Sequence, residues 1–176
     1  SAGFDWAPWN NQLYATDNGR DWLGDNEPPD ELNHITHGSF YGWPFSNGFG
    51  KTDPDYGKHP SKPQQPVKQP VHGFRPHNAS LGILFNRSSQ LPADYQRSAF
   101  VALHGSWNRT TPDGYKVVSL HWMNNGNIVE KDLLTGFLTP RGKVLGRPAE
   151  LAQDESGNLY ISDDHADTLY RLSPTH

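Results

Sequence analysis

The sequence predicts an all-β protein, and three observations carry that prediction. The 176-residue chain contains 17 Gly and 15 Pro, which divide it into short segments. The segments between these breakers are rich in β-branched and aromatic residues, as strands are. Few segments are long enough, or periodic enough, to predict a helix. Aromatic residues make up 12% of the chain and supply the apolar area that a packed core needs.

The predicted strands follow one another as short apolar runs between these breakers. A strand at residues 4–6 precedes the run LYAT, and the run YKVVSLHW is the clearest strand because of its β-branched and aromatic residues. Residues 130–137 fit either a strand or a helical turn. The other predicted strands are 13–16, 80–85, 99–104, 115–122, 147–152, 158–162 and 168–172.

A weak internal repeat indicates how these strands are organised. The run QLYATDN at 12–18 resembles NLYISDD at 158–164, and 99–104, following 80–85, is a poorer third copy. Repeated strand meanders of about 40–50 residues are typical of β-propeller blades. Three blades account for the chain if the Pro-rich stretch 54–76 is an insertion, largely extended, on the surface.

A ring of blades cannot close with three members, because propellers use about 4 to 8. An open arc would expose two blade faces that are rich in Trp, Leu and Val. We therefore expect the chain to be part of something larger, completed either by a missing N-terminal half of the propeller or by a second copy.

Composition excludes several classes of function. The formal net charge is −4, so there is no basic field to hold a nucleic acid. The chain has no Cys, which excludes thiolate zinc sites, iron–sulfur clusters, Cys nucleophiles and attached c-type haem. No apolar run approaches the roughly 20 residues of a membrane span, and no signal peptide is predicted within the chain.

The segment most informative about chemistry is DNGRDWLGDNEPPDELNHITHGSFYGWP, residues 17–44. It begins at a strand end and is expected to continue as an irregular loop. Calcium takes 6 to 8 oxygen ligands, and irregular Gly- and Pro-rich loops expose carbonyl oxygens. A solvated acidic loop with Asx-turns explains the same composition. The acidic residues of the segment are Asp17, Asp21, Asp25, Glu27, Asp30 and Glu31.

Three motifs together carry a family resemblance. They are NGRDWLGDNEPPDELN followed by YGWP, HGSWNR continuing to GYKVV, and GRP followed by GNLYISDD. In this order they resemble the soluble glucose/sorbosone dehydrogenase family, in its sorbosone-dehydrogenase-like branch of aldose sugar dehydrogenases. The match runs from residue 3 to residue 172. It implies the C-terminal half of a six-bladed propeller that uses pyrroloquinoline quinone (PQQ) and calcium.

The resemblance also implies metal ligands. The main-chain carbonyls of Gly19 and Arg20 fall where the family holds the calcium that touches the quinone, which also makes Arg20 a cofactor-site residue. Glu31 and Tyr41 fall where it holds a second, structural calcium, with Tyr41 acting through its carbonyl. Oxygen ligands from a Gly turn and a nearby carboxylate suit a hard cation.

Four further residues are expected at the cofactor. Arg147 falls on a family arginine that contacts the quinone's carboxylates, a role that suits a planar guanidinium. At the strand end where many relatives supply a lysine, this chain has His104 and Gly105. His104, Trp107 and Arg109 are therefore expected to line the cavity. Alternatively, Arg147 caps a strand turn, His104 is a neutral strand-end histidine, and Trp107 packs between blades with Arg109 bonded to a turn.

The implied activity is oxidation of a sugar hydroxyl by hydride transfer to PQQ, with a cytochrome or a small mediator as electron acceptor, in a periplasmic or secreted protein. The family's histidine base lies upstream of this sequence, so no catalytic residue is expected here. Most remaining histidines are expected to face solvent or turns. A calcium-stabilised binding module without catalysis is the main alternative, and a calcium-dependent sugar lactonase is a third reading. The remaining histidines are His34, His37, His59, His72, His77, His121, His165 and His176.

Overall fold

The computed structural model describes residues 1–174, and His176 lies outside them. The described chain is all-β, as predicted: its helical content is one 3-10 turn, Ala93–Tyr95, so none of its helices could cross a membrane. The thirteen strands are β1 Phe4–Ala7, β2 Gln12–Asp17, β3 Asp30–Ile35, β4 Ser46–Asn47, β5 Lys51–Thr52, β6 His72–Phe74, β7 Ser80–Phe85, β8 Ser98–Leu103, β9 Lys116–Trp122, β10 Ile128–Leu134, β11 Pro148–Gln153, β12 Leu159–Asp163 and β13 Thr168–Leu172.

The strands form three main antiparallel sheets that follow each other along the chain. The first has the order β1-β2-β3-β6, the second β7-β8-β9-β10 and the third β11-β12-β13. A small hairpin of β4 and β5 lies in the connection between β3 and β6. In each sheet neighbouring strands are antiparallel and follow each other in order along the chain, apart from the long connection of residues 36–71 between β3 and β6.

Two cores hold the three sheets together. Tyr14 and Phe74 of the first sheet pack with Phe85 of the second, while Phe100 of the second packs with Ile161 of the third. Alternate residues of a strand point to opposite faces, so the middle sheet buries both of its faces. Strand β8 is accordingly buried at all six positions.

The outer face of the first sheet is apolar and open. Phe4 is 65% exposed and Trp6 is 45% exposed, and their rings contact each other edge to face at 5.8 Å. Trp6 lies opposite Leu13, which lies opposite Ile35 on the next strand. At the far end of the stack, Leu169 of the third sheet is also exposed. Exposed apolar side chains at the two ends agree with the expectation for an open stack of sheets.

Strand β3 corrects one sequence prediction. The segment 17–44 was expected to continue as an irregular loop, but Asp30–Ile35 is a strand whose residues 31–35 pair with β2. Its polar residues hide the strand pattern in the sequence. Leu32 is fully buried in the first core, and the register with β2 fixes which way its neighbours point.

The Pro-rich stretch 54–76 also differs from expectation at its end. Most residues up to 66 are exposed, as expected of a surface excursion. However, His72–Phe74 is the fourth strand of the first sheet, and Phe74 is fully buried in the first core. Residues 130–137, predicted as strand or helical turn, fall largely within strand β10.

Candidate functional site

The connections that carry the sequence motifs meet at one end of the strands of the three sheets. Hydrogen bonds join them across the sheets: Asp30 to the Ala79 N–H, Arg147 to the Gly105 carbonyl and His104 to Asp164. Motifs that are far apart in the sequence therefore lie side by side. We call this the loop edge, and it consists of residues 17–31, 75–79, 104–115, 146–147 and 164–167.

A cavity of about 410 Å³ lies at the first-sheet end of the loop edge. We call it the corner cavity. All four residues predicted as metal ligands line it, although they are spread over more than twenty positions of the sequence. These residues are Gly19, Arg20, Glu31 and Tyr41.

Two carboxylates face each other at this cavity without a basic residue between them. Asp17 and Glu31 are direct cross-strand partners on β2 and β3, and both line the cavity. The Oδ2 of Asp17 lies 3.5 Å from the Ser1 amino nitrogen, so Glu31 is the uncompensated member of the pair. Burial raises the pKa of Glu31, and the nearby Asp17 charge raises it further, although the Asn33 amide donates a hydrogen bond to its carboxylate at 2.8 Å. Within residues 1–174, Glu31 makes no ion pair with a Lys, Arg or His. Like charges opposite each other are destabilising unless a cation lies nearby.

The main-chain oxygens of the cavity fit such a cation. Among the described residues, the carbonyls of Gly19, Arg20 and Tyr41 accept no hydrogen bond from the backbone. The Tyr41 hydroxyl, in contrast, is occupied: it accepts from the Thr36 N–H at 2.8 Å and donates to the His34 carbonyl at 3.0 Å. Free carbonyls beside a carboxylate pair are the ligand set that calcium takes. The residues present therefore fit a calcium ion.

The side chain of Arg20 is used within the protein. Its guanidinium donates to both oxygens of Asp53 at 2.7 Å, pairs with Asp55 and lies over the Tyr56 ring. Burial alone would raise the pKa of Asp53, but hydrogen bonds from Asn47, Arg20 and two backbone N–H groups hold that pKa well below its usual range. Arg20 can therefore offer the cavity its carbonyl oxygen and not its charge.

Asp30 joins the connection after β2, which lines the corner cavity, to the connection before β7. Its carboxylate accepts from the Gly19 N–H and from the Ala79 N–H, each at 2.7 Å. Burial raises the pKa of Asp30 to about 6, and these N–H donors counteract only part of that effect. Composition grouped Asp30 with the candidate oxygen ligands, whereas its observed contacts hold two connections together.

Arg147 occupies the other side of the loop edge. Its Nη2 donates to the carbonyls of Gly105 at 2.8 Å and Ser106 at 3.3 Å, and its guanidinium lies over the Tyr115 ring at 5.2 Å. Its Nε is buried and has no hydrogen-bond partner among the described residues. Arg147 also forms no salt bridge with any of residues 1–174. A cation with unused N–H groups suits a ligand that carries carboxylates.

The other three predicted cofactor residues differ in what they contact. The Nε2 of His104 lies 2.8 Å from Asp164. Arg109 donates to the carbonyls of Asp25, Pro76 and Thr111, which is the turn-bonding alternative raised from the sequence. Trp107 is 63% exposed, and its ring contacts Trp22 edge to face. His104 and Arg147 thus lie together, while Trp107 and Arg109 lie toward the acidic loop.

Sequence reasoning missed His77. It was expected to face solvent or a turn, but its side chain is buried, with Nδ1 3.1 Å from Asp21 and Nε2 2.8 Å from the Gly24 carbonyl. The expectation also fails for His121, which is buried between Asp94 and Ser119. The available signal for His77 was its place immediately before the predicted strand 80–85. Its partner, 56 residues earlier, could not be read from the sequence.

One known protein family matches more than half of the chain. The model of the TrAA12-like family matches residues 49–175, which is more than half of the chain. The chain belongs to the TrAA12-like family. This result confirms the resemblance carried by the three sequence motifs, and it relates the chain to PQQ-dependent sugar dehydrogenase domains.

Two curated relatives illustrate the relationship. An uncharacterized protein of Borreliella burgdorferi is 38% identical over 176 residues, which covers 98% of this chain and 46% of the relative. A pyrroloquinoline quinone-dependent pyranose dehydrogenase of Coprinopsis cinerea is 32% identical over 114 residues, or 54% of this chain and 15% of the relative. The TrAA12-like chain therefore spans less than half the length of these relatives.

Solved structures show the same fold. The calcium structure of the Trichoderma reesei family AA12 enzyme superposes with a TM-score of 0.73 at 23% identity, covering 97% of this chain and 51% of the other. The holo form of the PQQ domain of Coprinopsis cinerea pyranose dehydrogenase gives 0.67 at 22% identity, covering 98% and 53%. At these identities the comparison establishes the fold alone.

Proposed function

We propose that residues 1–176 form about three blades, the C-terminal half, of a six-bladed β-propeller, with the Pro-rich stretch 54–76 as an insertion that ends in strand β6. Three consecutive antiparallel sheets, packed face to face, support this architecture. The apolar outer face around Phe4 and Trp6 would contact the rest of the ring or a second copy of the chain.

We further propose that the complete protein is a PQQ- and calcium-dependent sugar dehydrogenase. When bound, PQQ would supply a two-electron acceptor for hydride from a sugar hydroxyl, and calcium would polarise a quinone carbonyl. The observation that carries the proposal is the corner cavity, which brings together the predicted calcium ligands and a carboxylate pair in which Glu31 has no basic partner among the described residues. The pyranose dehydrogenase relative, named for PQQ, supports the same reading.

The roles of the chain's own residues follow from their contacts. The carbonyls of Gly19, Arg20 and Tyr41, with the Glu31 carboxylate, would hold calcium. Arg147 would bind carboxylates of the quinone through its unpaired Nε–H, and His104 would stand beside it. Arg109 would act indirectly, by holding the Asp25 and Pro76 carbonyls in place.

The proton acceptor for the sugar hydroxyl is proposed to lie outside this chain. Two of the three histidines of the loop edge, His77 and His104, are each held by an aspartate of the chain itself. The third, His165, is exposed. A cytochrome or a small mediator as electron acceptor, and a periplasmic or secreted location, remain expectations from the family resemblance.

The test is ligand binding measured by thermal unfolding and by quinone absorbance, with calcium and PQQ added singly and together. Calcium should raise the melting temperature of the protein, and Glu31→Gln should abolish that rise. Arg147→Met should reduce PQQ retention and leave the calcium effect intact. Met123→Ala, at an exposed side chain on the turn after β9 and outside both sites, is the matched control.

The same measurements separate the alternatives. Calcium stabilisation without PQQ retention in the complete protein would favour a binding module and contradict the dehydrogenase. The lactonase reading requires a metal held by several side chains. No group of three or more His, Cys, Asp or Glu side chains is placed to hold an ion in the described part of the chain, which argues against that reading.

A further inference from the structure

Two exposed tryptophans form a pair at the centre of the loop edge. Trp22 is 75% exposed and Trp107 is 63% exposed, and their ring centroids lie 5.4 Å apart in an edge-to-face arrangement. They come from different sheets and are separated by 85 positions of the sequence. Such large apolar groups left together in solvent indicate an interaction surface.

The pair lies between the two halves of the proposed active site. Trp22 follows Asp21, which lines the corner cavity together with Gly19. Trp107 follows Ser106, whose carbonyl accepts a hydrogen bond from Arg147. A ligand on the tryptophan pair would therefore lie next to both the proposed calcium site and the proposed quinone-binding arginine.

Hydrogen bonds fix the two loops that carry the tryptophan pair. His77 is buried and contacts both Asp21 and the Gly24 carbonyl, on the two sides of Trp22. Arg109 donates to the Asp25 carbonyl, and the Thr110 N–H donates to the Asp25 carboxylate. These bonds tie the loop that carries Trp22 to the loop that carries Trp107, so the two rings are pre-positioned before any ligand arrives.

Backbone strain also concentrates here. Trp22 has a φ of +69°, which is unfavourable for a bulky side chain. Of the six non-glycine residues with positive φ among the described residues, five lie on the loop edge: Trp22, His77, Ala79, Tyr115 and Asp167. Strain of this kind persists where a particular side-chain placement is needed for function.

We propose that Trp22 and Trp107 form a carbohydrate-binding platform outside the corner cavity that selects substrates of two or more sugar units. One indole face stacks against a pyranose ring, and the other indole, at 78° to the first, borders that ring. Indole rings present a flat apolar face that suits the C–H face of a pyranose. Beside them, Asp21 Oδ2 and Asn108 Oδ1 accept no hydrogen bond from other described residues and can accept from sugar hydroxyls. This proposal rests on the proposed sugar dehydrogenase function.

The experiment compares glucose, maltotriose and cellotriose as probes, using titration calorimetry on the complete protein without quinone. At least one trisaccharide should bind more tightly than glucose. Trp107→Ala and Trp22→Gly should each weaken that trisaccharide about tenfold and leave glucose unchanged. Trp107→Phe should retain most of the affinity, because it keeps an aromatic face.

Trp22→Gly guards against a trivial loss of fold. Glycine tolerates the positive φ at this position, so this variant should melt no lower than wild type while losing trisaccharide affinity. Phe49→Ala, which removes an exposed ring elsewhere, should bind like wild type. Unchanged trisaccharide affinity in both tryptophan variants, or a wild type that binds no trisaccharide better than glucose, would overturn the platform.

A parallel assay with PQQ, calcium and a dye acceptor tests the proposed function separately. Trisaccharide binding without sugar oxidation would keep the platform and reject the dehydrogenase. Glucose oxidation with no preference between chain lengths would do the reverse.

Discussion

The carboxylates on and near the loop edge differ in how far their charges are compensated. Glu31 and Asp17 face each other across a strand pair with no basic partner for Glu31, whereas Asp53 is fully neutralised by Arg20. Asp30 is different again, since it is buried and accepts only backbone N–H groups. Glu31, which has no basic partner among the described residues, marks the place where a cation would stabilise the fold, and the carboxylates with satisfied partners are structural.

Glu31→Gln should separate repulsion from metal binding. In the absence of calcium the variant should gain about 0.5–1 kcal/mol in free energy of unfolding, because one of two opposed charges is removed. With calcium it should be less stable than wild type. Urea unfolding with and without the ion measures both effects, and a variant that still responds to calcium like wild type would contradict the assignment.

The pH dependence of the calcium effect follows from the raised pKa of Glu31. Without calcium, the folded state holds this proton more tightly than the unfolded state, so stability should fall as the pH rises from the ordinary Glu range through the raised pKa. Calcium needs the ionised carboxylate, so its stabilisation should shrink as the pH falls through the same range. Melting curves at a series of pH values, with and without calcium, show both trends.

Asp30→Asn tests the buried brace. An asparagine retains one acceptor and places an amide N–H₂ against the other N–H donor, so the variant should lose about 1–3 kcal/mol at pH 5. In wild type, the pKa of about 6 implies a loss of up to about 3 kcal/mol of stability as the pH rises from 4 to 7. Asp30→Asn should lack this loss. The difference between the two unfolding curves isolates Asp30 from carboxylates with lowered pKa, such as Asp5 and Asp163.

At the scale of elements, regular apolar alternation could be read from the sequence and polar strands could not. Strands β7 and β13 agree with prediction at both ends, because their apolar residues alternate or run together between turn residues. Strand β3 was missed because four of its six residues are Asp, Glu, Asn and His, and a Pro precedes it. Its identity as a strand depends on pairing with β2. Strand β6 was hidden in a Pro-rich stretch for the same reason.

Phe74→Ala should show that strand β6 belongs to the core. Phe74 is fully buried against the first core, so its truncation should cost about 3–5 kcal/mol in free energy of unfolding. Pro60→Ala, in the exposed part of the same stretch, should change stability by less than about 0.5 kcal/mol. Equal effects in chemical unfolding would mean that β6 does not contribute to the core.

At the scale of the whole molecule, the sequence predicted an open stack of sheets but not the contacts that define its site. The four predicted metal ligands do line one cavity. The most distant hydrogen-bond partners of His77, Asp30 and Arg109, however, lie 56, 49 and 84 positions away in the sequence. Such contacts depend on how one sheet packs on the next, which no local pattern encodes.

The open outer face should control self-association of the chain expressed alone. Phe4→Glu combined with Trp6→Glu should shift the chain toward monomer in sedimentation, with an unchanged circular dichroism spectrum, because charges replace the exposed apolar pair. Met123→Glu, an exposed apolar residue on the turn after β9, is the matched control. Association that persists in the double variant would place the contact elsewhere.

The opposition of Asp17 and Glu31 has a consequence for how this family diversifies. Because the two carboxylates share one register position, the proposed calcium ion would tie the effect of a substitution at one position to the residue at the other. A lineage that abandoned the ion would be free to exchange either acid for a neutral or basic residue, and would gain stability from doing so. Paired replacement at positions 17 and 31 across natural homologues would therefore record which descendants have given up the cation.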